Sequence, residues 1–142
     1  MQQRDPVDAD AAVRIEADAR DAGRRALGSE GEARAAAHLE ACGYRILARN
    51  ARAGRVEIDL VARRGRTLAF VEVKTRRSRS AGLPEEAVDF RKRERLVHGA
   101  AAWLAGHPQR GAAVRFDVVA CERDAGGAWS IRHLEGAFEA GD

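Results

Sequence analysis

Val56-Glu57-Ile58-Asp59-Leu60-Val61-Ala62-Arg63, then Arg64-Gly65-Arg66-Thr67, then Leu68-Ala69-Phe70-Val71-Glu72-Val73-Lys74-Thr75 is the stretch that decides the fold. Both arms are β-branched and apolar with interleaved charge, and a glycine stands in the break, so they read as two antiparallel strands. With Gly65-Arg66 as a tight two-residue turn, Asp59 lies opposite Glu72 and Glu57 opposite Lys74. Alternation along a strand places Glu57, Asp59, Glu72 and Lys74 on one face, and Ile58, Leu60, Val71 and Val73 on the other, a core face. Opposed side chains have Cβ atoms roughly 4.5–5.5 Å apart, so carboxylates at 59 and 72 can hold one hard divalent cation between them. Two anions that close repel, and a metal or a lysine relieves the repulsion.

A Glu-x-Lys in a strand is also an ordinary solvated cross-strand charge pair. Two features weigh against that reading here. Val61 and Phe70 join the charged face, which makes both faces too apolar for an exposed edge. The cations are almost all arginine: of 25 basic residues only Lys74 and Lys92 are lysine, so lysine stands where arginine does not serve.

The 142 residues suit one domain with one core, and the 45% hydrophobic, 33% charged composition is globular. No apolar run approaches the length that spans a bilayer, and Met1-Gln2-Gln3-Arg4-Asp5 lacks the apolar centre of a secretory signal. A soluble cytoplasmic protein with no membrane partner is expected. Cys42 and Cys121 stand apart, without metal-ligand spacing, and read as reduced packing residues.

The net charge of +3 is unevenly spread: residues 1–25 carry −1, 26–44 −2, 45–110 +9 and 111–142 −3. A basic surface around an acidic pocket suits a phosphodiester substrate, the rim steering it and the centre capturing metal. Arginine used simply for solubility gives the same arithmetic.

Residues 1–26 are alanine-rich with alternating charge and no apolar stripe, a solvated helix or a flexible extension without assigned chemistry. Ser29 to about Cys42 reads as a helix ended by Gly43, with Ser29 and Glu32 at capping-box spacing. Glu32 also shares a stripe with Ala36 and Leu39, which points it toward a site at the sheet; the two readings of Glu32 are equally good. A strand follows from Tyr44 to about Ala51. After the hairpin, Arg76 to Gly82 reads as a basic loop beside the site, for phosphate contacts or for solvent.

Pro84-Glu85-Glu86 opens a helix that continues to about Ala105, with Val88, Lys92, Leu96, Gly99 and Trp103 as its inner stripe and Arg91, Arg93 and Arg95 facing elsewhere. Lys92 either extends its ammonium past apolar neighbours to solvent or points at the carboxylates or a phosphate. Val114–Cys121 and Trp129–Leu134 are further strands, separated by the turn Asp124-Ala125-Gly126-Gly127, and Asp117 reads as an ion-pair partner of a nearby arginine. The four histidines show no ligand spacing. The organisation is thus an extension (1–26), one domain (27–138) and a tail (139–142), the domain an α/β mixed sheet with the hairpin at its centre, flanked by two helices.

These residues resemble a known family. Gly31-Glu32-Ala33, Gly43-Tyr44, Ile46-Leu47, Asn50, Arg52, Glu57-Ile58-Asp59-Leu60, Phe70-Val71-Glu72-Val73-Lys74-Thr75-Arg76, Lys92 and Arg115-Phe116-Asp117-Val118-Val119 look like the YraN family, a nuclease-like branch of the PD-(D/E)XK superfamily related to archaeal Holliday junction resolvases. The resemblance covers about residues 28–120 and lies in the order and spacing of several blocks. It departs at Val56, where the family usually has glycine before the acidic residue, which puts any role for Glu57 in doubt.

The resemblance implies a restriction-endonuclease-like fold and a Mg²⁺- or Mn²⁺-dependent endonuclease acting on DNA, on branched or single-stranded structures. It implies Asp59 and Glu72 as metal ligands, Lys74 orienting or activating the attacking water, Glu32 completing the acidic cluster and Lys92 assisting. Arg76, Arg77, Arg79 and Arg93 would hold flanking phosphates without reading sequence. A homodimer fits a junction substrate, which presents two related cleavage points. The rival expectation is a non-catalytic nucleic-acid-binding or adaptor protein that keeps the fold, with binding that weakens steeply as salt rises.

Overall fold

The computed structural model describes residues 6–77 and 90–140, without the side chains of residues 6–12 and 15. In chain order the elements are α1 (Pro6–Ala41), β1 (Arg45–Ala53), β2 (Val56–Arg64), β3 (Thr67–Arg76), α2 (Phe90–Gly106), β4 (Ala113–Arg123) and β5 (Trp129–Phe138). The five strands form one mixed sheet in the order β1-β2-β3-β4-β5, antiparallel throughout except for the parallel pair β3–β4. The parallel pair needs a crossover, and α2 lies on that connection. Among the described residues no helix is long and apolar enough to cross a membrane.

The helices cover opposite faces of the sheet. On one, α2 brings Leu96, Ala100 and Trp103 onto Ile58, Val61, Leu68, Phe70, Phe116, Val118 and Phe138. On the other, α1 sets Ala35, Ala36 and Leu39 against Leu60, Ala62, Ala69, Val71, Val119 and Cys121. Sheet residues therefore face apolar partners on both sides, as the apolar character of both hairpin faces requires. The hairpin register agrees with the two-residue turn: Leu60 pairs with Val71 and Arg64 with Thr67, while Gly65 takes φ 60 at the first turn position.

Three local expectations need correction. The helix runs unbroken through Ser29, so Ser29 is interior rather than an N-cap and Glu32 belongs to no capping box. The alternation of faces fails at Asp59: Ile58 packs with Val61 on the α2 side while Leu60 packs on the α1 side. Asn50 stands opposite this irregularity with a positive φ of 49, and no pairing links it to Asp59. Finally, Cys42 is exposed at the end of α1 and does not pack; Cys121 is buried, and both are free thiols. The helix start expected at Pro84 lies outside the described residues.

A buried polar cluster fastens β4 to its neighbours. Asp117, fully buried, accepts from Arg115 Nε and Nη2 (both 2.8 Å), His133 Nε2 (2.7 Å) and the Gly136 amide (3.0 Å). Arg115 in turn donates to Tyr44 Oη at 2.5 Å. Asp117 is thus the ion-pair partner of an arginine, with a pKa held below the ordinary carboxylate value: burial opposes its charge, and the bonds from His133, Arg115 and Gly136 outweigh it.

Candidate active site

The site begins where the hairpin comes apart. The β2–β3 ladder runs only from Arg64↔Thr67 to Leu60↔Val71. Beyond that point β2 stays with β1, through Ala51↔Ile58 and Arg52↔Glu57, and β3 stays with β4, from Glu72↔Val118 to Arg76↔Glu122. Asp59 and Glu72 are the first residues past the fork. They are therefore not the regular cross-strand pair that the register alone suggests. The Val73 amide, with no backbone acceptor left on β2, donates instead to Asp59 Oδ2 at 2.8 Å.

A cleft of about 250 Å³ opens at this fork under α2, lined by Val56, Glu57, Asp59, Glu72, Lys92, Arg95 and Leu96. Lys92, Arg95, Leu96 and Gly99 follow helical spacing, and Gly99 lets α2 approach: a Cβ there would stand 3.0 Å from Val56 Cγ1. Arg95, expected to face away, thus lines the cleft beside Lys92. Lys74 Nζ reaches Glu72 Oε1 at 3.1 Å, with both side chains mostly buried.

Glu32 enters from the other helix. Gly31 presses so closely on β3 that an added Cβ would stand 2.7 Å from Thr75 Cγ2, and this approach sets the next residue, Glu32, at the fork. With its amide nitrogen turned toward them, Asn50 donates to Glu32 Oε2 at 3.0 Å and to Glu57 Oε1 at 3.2 Å. The positive φ of Asn50, a conformation asparagine tolerates better than most residues, belongs to this bridge. Sequence reasoning missed Asn50 as a site residue and left Glu57 in doubt; the signal available was an uncharged polar residue in an otherwise basic and apolar strand.

Four carboxylates thus neighbour one another, and the titration of two of them, Asp59 and Glu32, responds. Asp59 is pushed up from 3.8 to about 7, first by burial and then by the charge of Glu72, with Glu32 and Glu57 adding to it and the Val73 bond working the other way. The Glu32 pKa is also raised, by burial foremost, against the bond from Asn50 and with the charges of Glu57 and Glu72. Burial works against the charge on Lys74, yet its pKa is raised, because a hydrogen bond with Lys92 and the charges of Glu72 and Asp59 prevail.

Among the described residues no three His, Cys, Asp or Glu side chains are gathered tightly enough to cage an ion. Asp59 and Glu72 offer two hard oxygen donors, which suits a cation that keeps several waters and takes the rest of its ligands from a phosphate. It does not suit a closed site of the zinc type.

Asp59, Glu72, Lys74 and Lys92 come together, and Glu32 joins them through Asn50. The basic residues divide. Arg76 is tied to Glu122 at 3.1 Å, Arg77 is exposed beyond the end of β3, and the Arg93 guanidinium lies over the Phe138 ring at 5.5 Å rather than in the cleft. Arg79 lies outside the described residues.

Comparison with known proteins gives a single answer. The model of a family described as "Uncharacterised protein family UPF0102" matches residues 31–121. A UPF0102 protein of Anaeromyxobacter dehalogenans is 49% identical over 117 residues, 82% of this chain and 87% of the relative. One from Nitratidesulfovibrio vulgaris is 42% identical over 116 residues, 82% and 86% of the two chains. One from Beutenbergia cavernae is 50% identical over 111 residues, 78% and 94%.

Proposed function

The chain belongs to the uncharacterised protein family UPF0102, and from that premise and the geometry of the fork we propose that it is a Mg²⁺- or Mn²⁺-dependent nuclease hydrolysing DNA phosphodiester bonds. The observation that carries the reading is the parting of β2 and β3, which gives Asp59 and Glu72 a common cleft, Lys74 a contact with Glu72, and Lys92 and Arg95 a place on the opposing wall.

Hydrolysis of a phosphodiester builds negative charge on the phosphoryl oxygens and on the leaving oxygen. Asp59 and Glu72 would hold a divalent ion, which would neutralise that charge and make a bound water more acidic. The protein's own residues do the rest. Lys74, cationic and anchored on Glu72, orients the attacking water or the scissile phosphate by hydrogen bonding. Lys92 and Arg95 face the substrate from α2 and balance its phosphate charge. Glu57 on the cleft wall, and Glu32 bridged to it by Asn50, add negative charge around the fork, which favours metal capture over an intramolecular ion pair alone.

The test is to incubate the protein with labelled single-stranded, duplex, flap and four-way-junction DNA in Mg²⁺, Mn²⁺ or chelator, beside Asp59→Asn and Lys74→Ala prepared identically. Metal-dependent cleavage lost in both variants supports the proposal. Absence of cleavage on every substrate, or equal cleavage by the variants, refutes it; binding retained without cleavage then favours a non-catalytic nucleic-acid adaptor.

A further inference from the structure

The outer half of α1 falls outside the segment that defines the family, which begins at residue 31. It is helical all the same, and from residue 16 to 22 every residue is exposed. One stripe of α1 links this overhang to the core. Ala35 and Gly31 lie on the sheet, Gly31 against Thr75. At helical spacing the stripe continues outward as Leu27, Arg24, Gly23 and Arg20. Once α1 passes the edge of the sheet, the inward-facing positions change from apolar to arginine.

Arg20 and Arg24 are exposed, and they border a depression in the surface. Ala19, Arg20, Gly23, Arg24 and Leu27 line one wall of a groove of about 650 Å³, and Thr75, Arg76 and Arg77 line the other. Gly23 and the tip of Arg77 come within ordinary contact range across the groove: a Cβ at 23 would be 4.0 Å from Arg77 Nη2. Among the described residues no acidic side chain lines the groove itself. Two acids act from its margins, Asp21 pairing with Arg24 and Glu122 with Arg76. Arg77 is three residues past Lys74, about 10 Å along an extended chain, so the groove begins within a nucleotide or two of the site.

A helix that needs no core contact, presenting arginines and small residues to a facing arginine pair, is built for a narrow polyanion. We propose that this groove holds the sugar–phosphate backbone of a single-stranded nucleic-acid segment leading away from the catalytic fork, with Arg20, Arg24 and Arg77 on successive phosphates. This rests on the nuclease reading for its direction, but binding in the groove is measurable without catalysis. Single strands fit better than duplex, because a groove between one helix and the end of one strand tracks a single backbone, which is what unspecific single-strand binding uses.

The experiment is fluorescence anisotropy of the full chain with labelled single-stranded and duplex oligonucleotides of equal length, in chelator, over a salt series. The variants are Arg20→Glu/Arg24→Glu, Arg20→Lys/Arg24→Lys and Asp21→Asn. The charge reversal is expected to weaken single-strand binding about tenfold or more and to reduce the log–log salt slope by about 1.4, roughly 0.7 for each lost phosphate contact. The lysine pair is expected to retain most of the affinity. Asp21→Asn, which releases Arg24, is expected to bind more tightly than the parent.

Unchanged affinity and slope in the charge reversal overturn the inference, as does equal weakening by the lysine pair, which would indicate a structural effect. A loss confined to duplex overturns the single-strand assignment. The nuclease reading is judged separately by metal-dependent cleavage: parent cleavage with a charge reversal that binds normally removes the groove alone, whereas groove-dependent binding without cleavage by the parent removes the nuclease alone.

Discussion

Replacing Asp59 by asparagine is expected to stabilise the metal-free protein at neutral pH while abolishing its proposed chemistry. The folded protein holds the Asp59 proton more tightly than an unfolded chain does, because its pKa rises from 3.8 to about 7. A raised acid contributes stability that is fully present below the unfolded pKa and is lost as pH climbs through the folded one. The window of loss therefore runs from about pH 4 to about pH 7. Three pKa units at about 1.36 kcal/mol each give roughly 4 kcal/mol as an upper bound. The cleft is open to water, so half of that, about 2 kcal/mol, is the working figure.

Asparagine removes the charge and keeps an oxygen for the Val73 amide, so it recovers this free energy at pH 8 without losing the bond. For a chain of this size that is roughly 6–10 °C in Tm. The assay is thermal unfolding in chelator at pH 5 and pH 8, parent against variant. The difference between the two proteins isolates residue 59 from other titrating groups. The expected result is a variant more stable than the parent at pH 8, with the advantage shrinking toward pH 5; added Mg²⁺ stabilises the parent and leaves the variant unmoved. A variant less stable than the parent at pH 8, or a stability difference independent of pH, refutes the reasoning.

Three further outcomes follow from the contacts. Gly31→Ala drives a Cβ into Thr75 and is expected to cost about 1–3 kcal/mol despite alanine's helix preference, with part of the loss restored by Thr75→Ala in chemical denaturation of the double variant. Asp117→Asn leaves Arg115 opposite a neutral group in a buried cluster and is expected to cost about 3 kcal/mol by urea titration, with no change in metal-induced stabilisation, since neither Asp117 nor its partners line the cleft. Asn50→Ala loses the bonds to Glu32 and Glu57 and places alanine at φ 49, so it should be less stable than Asn50→Gly by about 1 kcal/mol, a ranking that thermal unfolding reads directly.

Much of the architecture was legible because it follows from local rules. Gly65 fixed a two-residue turn, the turn fixed the register, and the register carried the ladder as far as Leu60 and Val71, one residue short of Asp59 and Glu72. The inner stripe of α2 was legible for the same reason: Leu96, Gly99 and Trp103 are all buried. What stayed hidden depends on where pairing stops. A ladder that parts after Leu60 has no signature in either strand taken alone, since β1 and β4 compete for the two partners with equally good backbone groups. The positive φ at Asn50 and the lost alternation at Asp59 are consequences of that competition. Ser29-x-x-Glu32 misled for the opposite reason: its spacing is a true cap only where a helix begins, and α1 begins more than twenty residues earlier.

The fork also decides which variant of Asp59 is informative. Where the strands part, the Val73 amide loses its ladder partner, and Asp59 Oδ2 takes the place of the missing carbonyl. One side chain thereby ends the sheet and begins the site. Alanine at 59 removes both functions, so the relief of repulsion, about 2 kcal/mol, is set against an unsatisfied amide costing about 1–3 kcal/mol. The alanine variant should unfold near the parent temperature at pH 8 and asparagine well above it. Amide exchange at Val73 separates the two: it should stay slow in Asp59→Asn and accelerate in Asp59→Ala. If exchange is equally slow in both, the amide has another acceptor, and the carboxylate's role at the end of the ladder is wrong even where its role in the cleft stands.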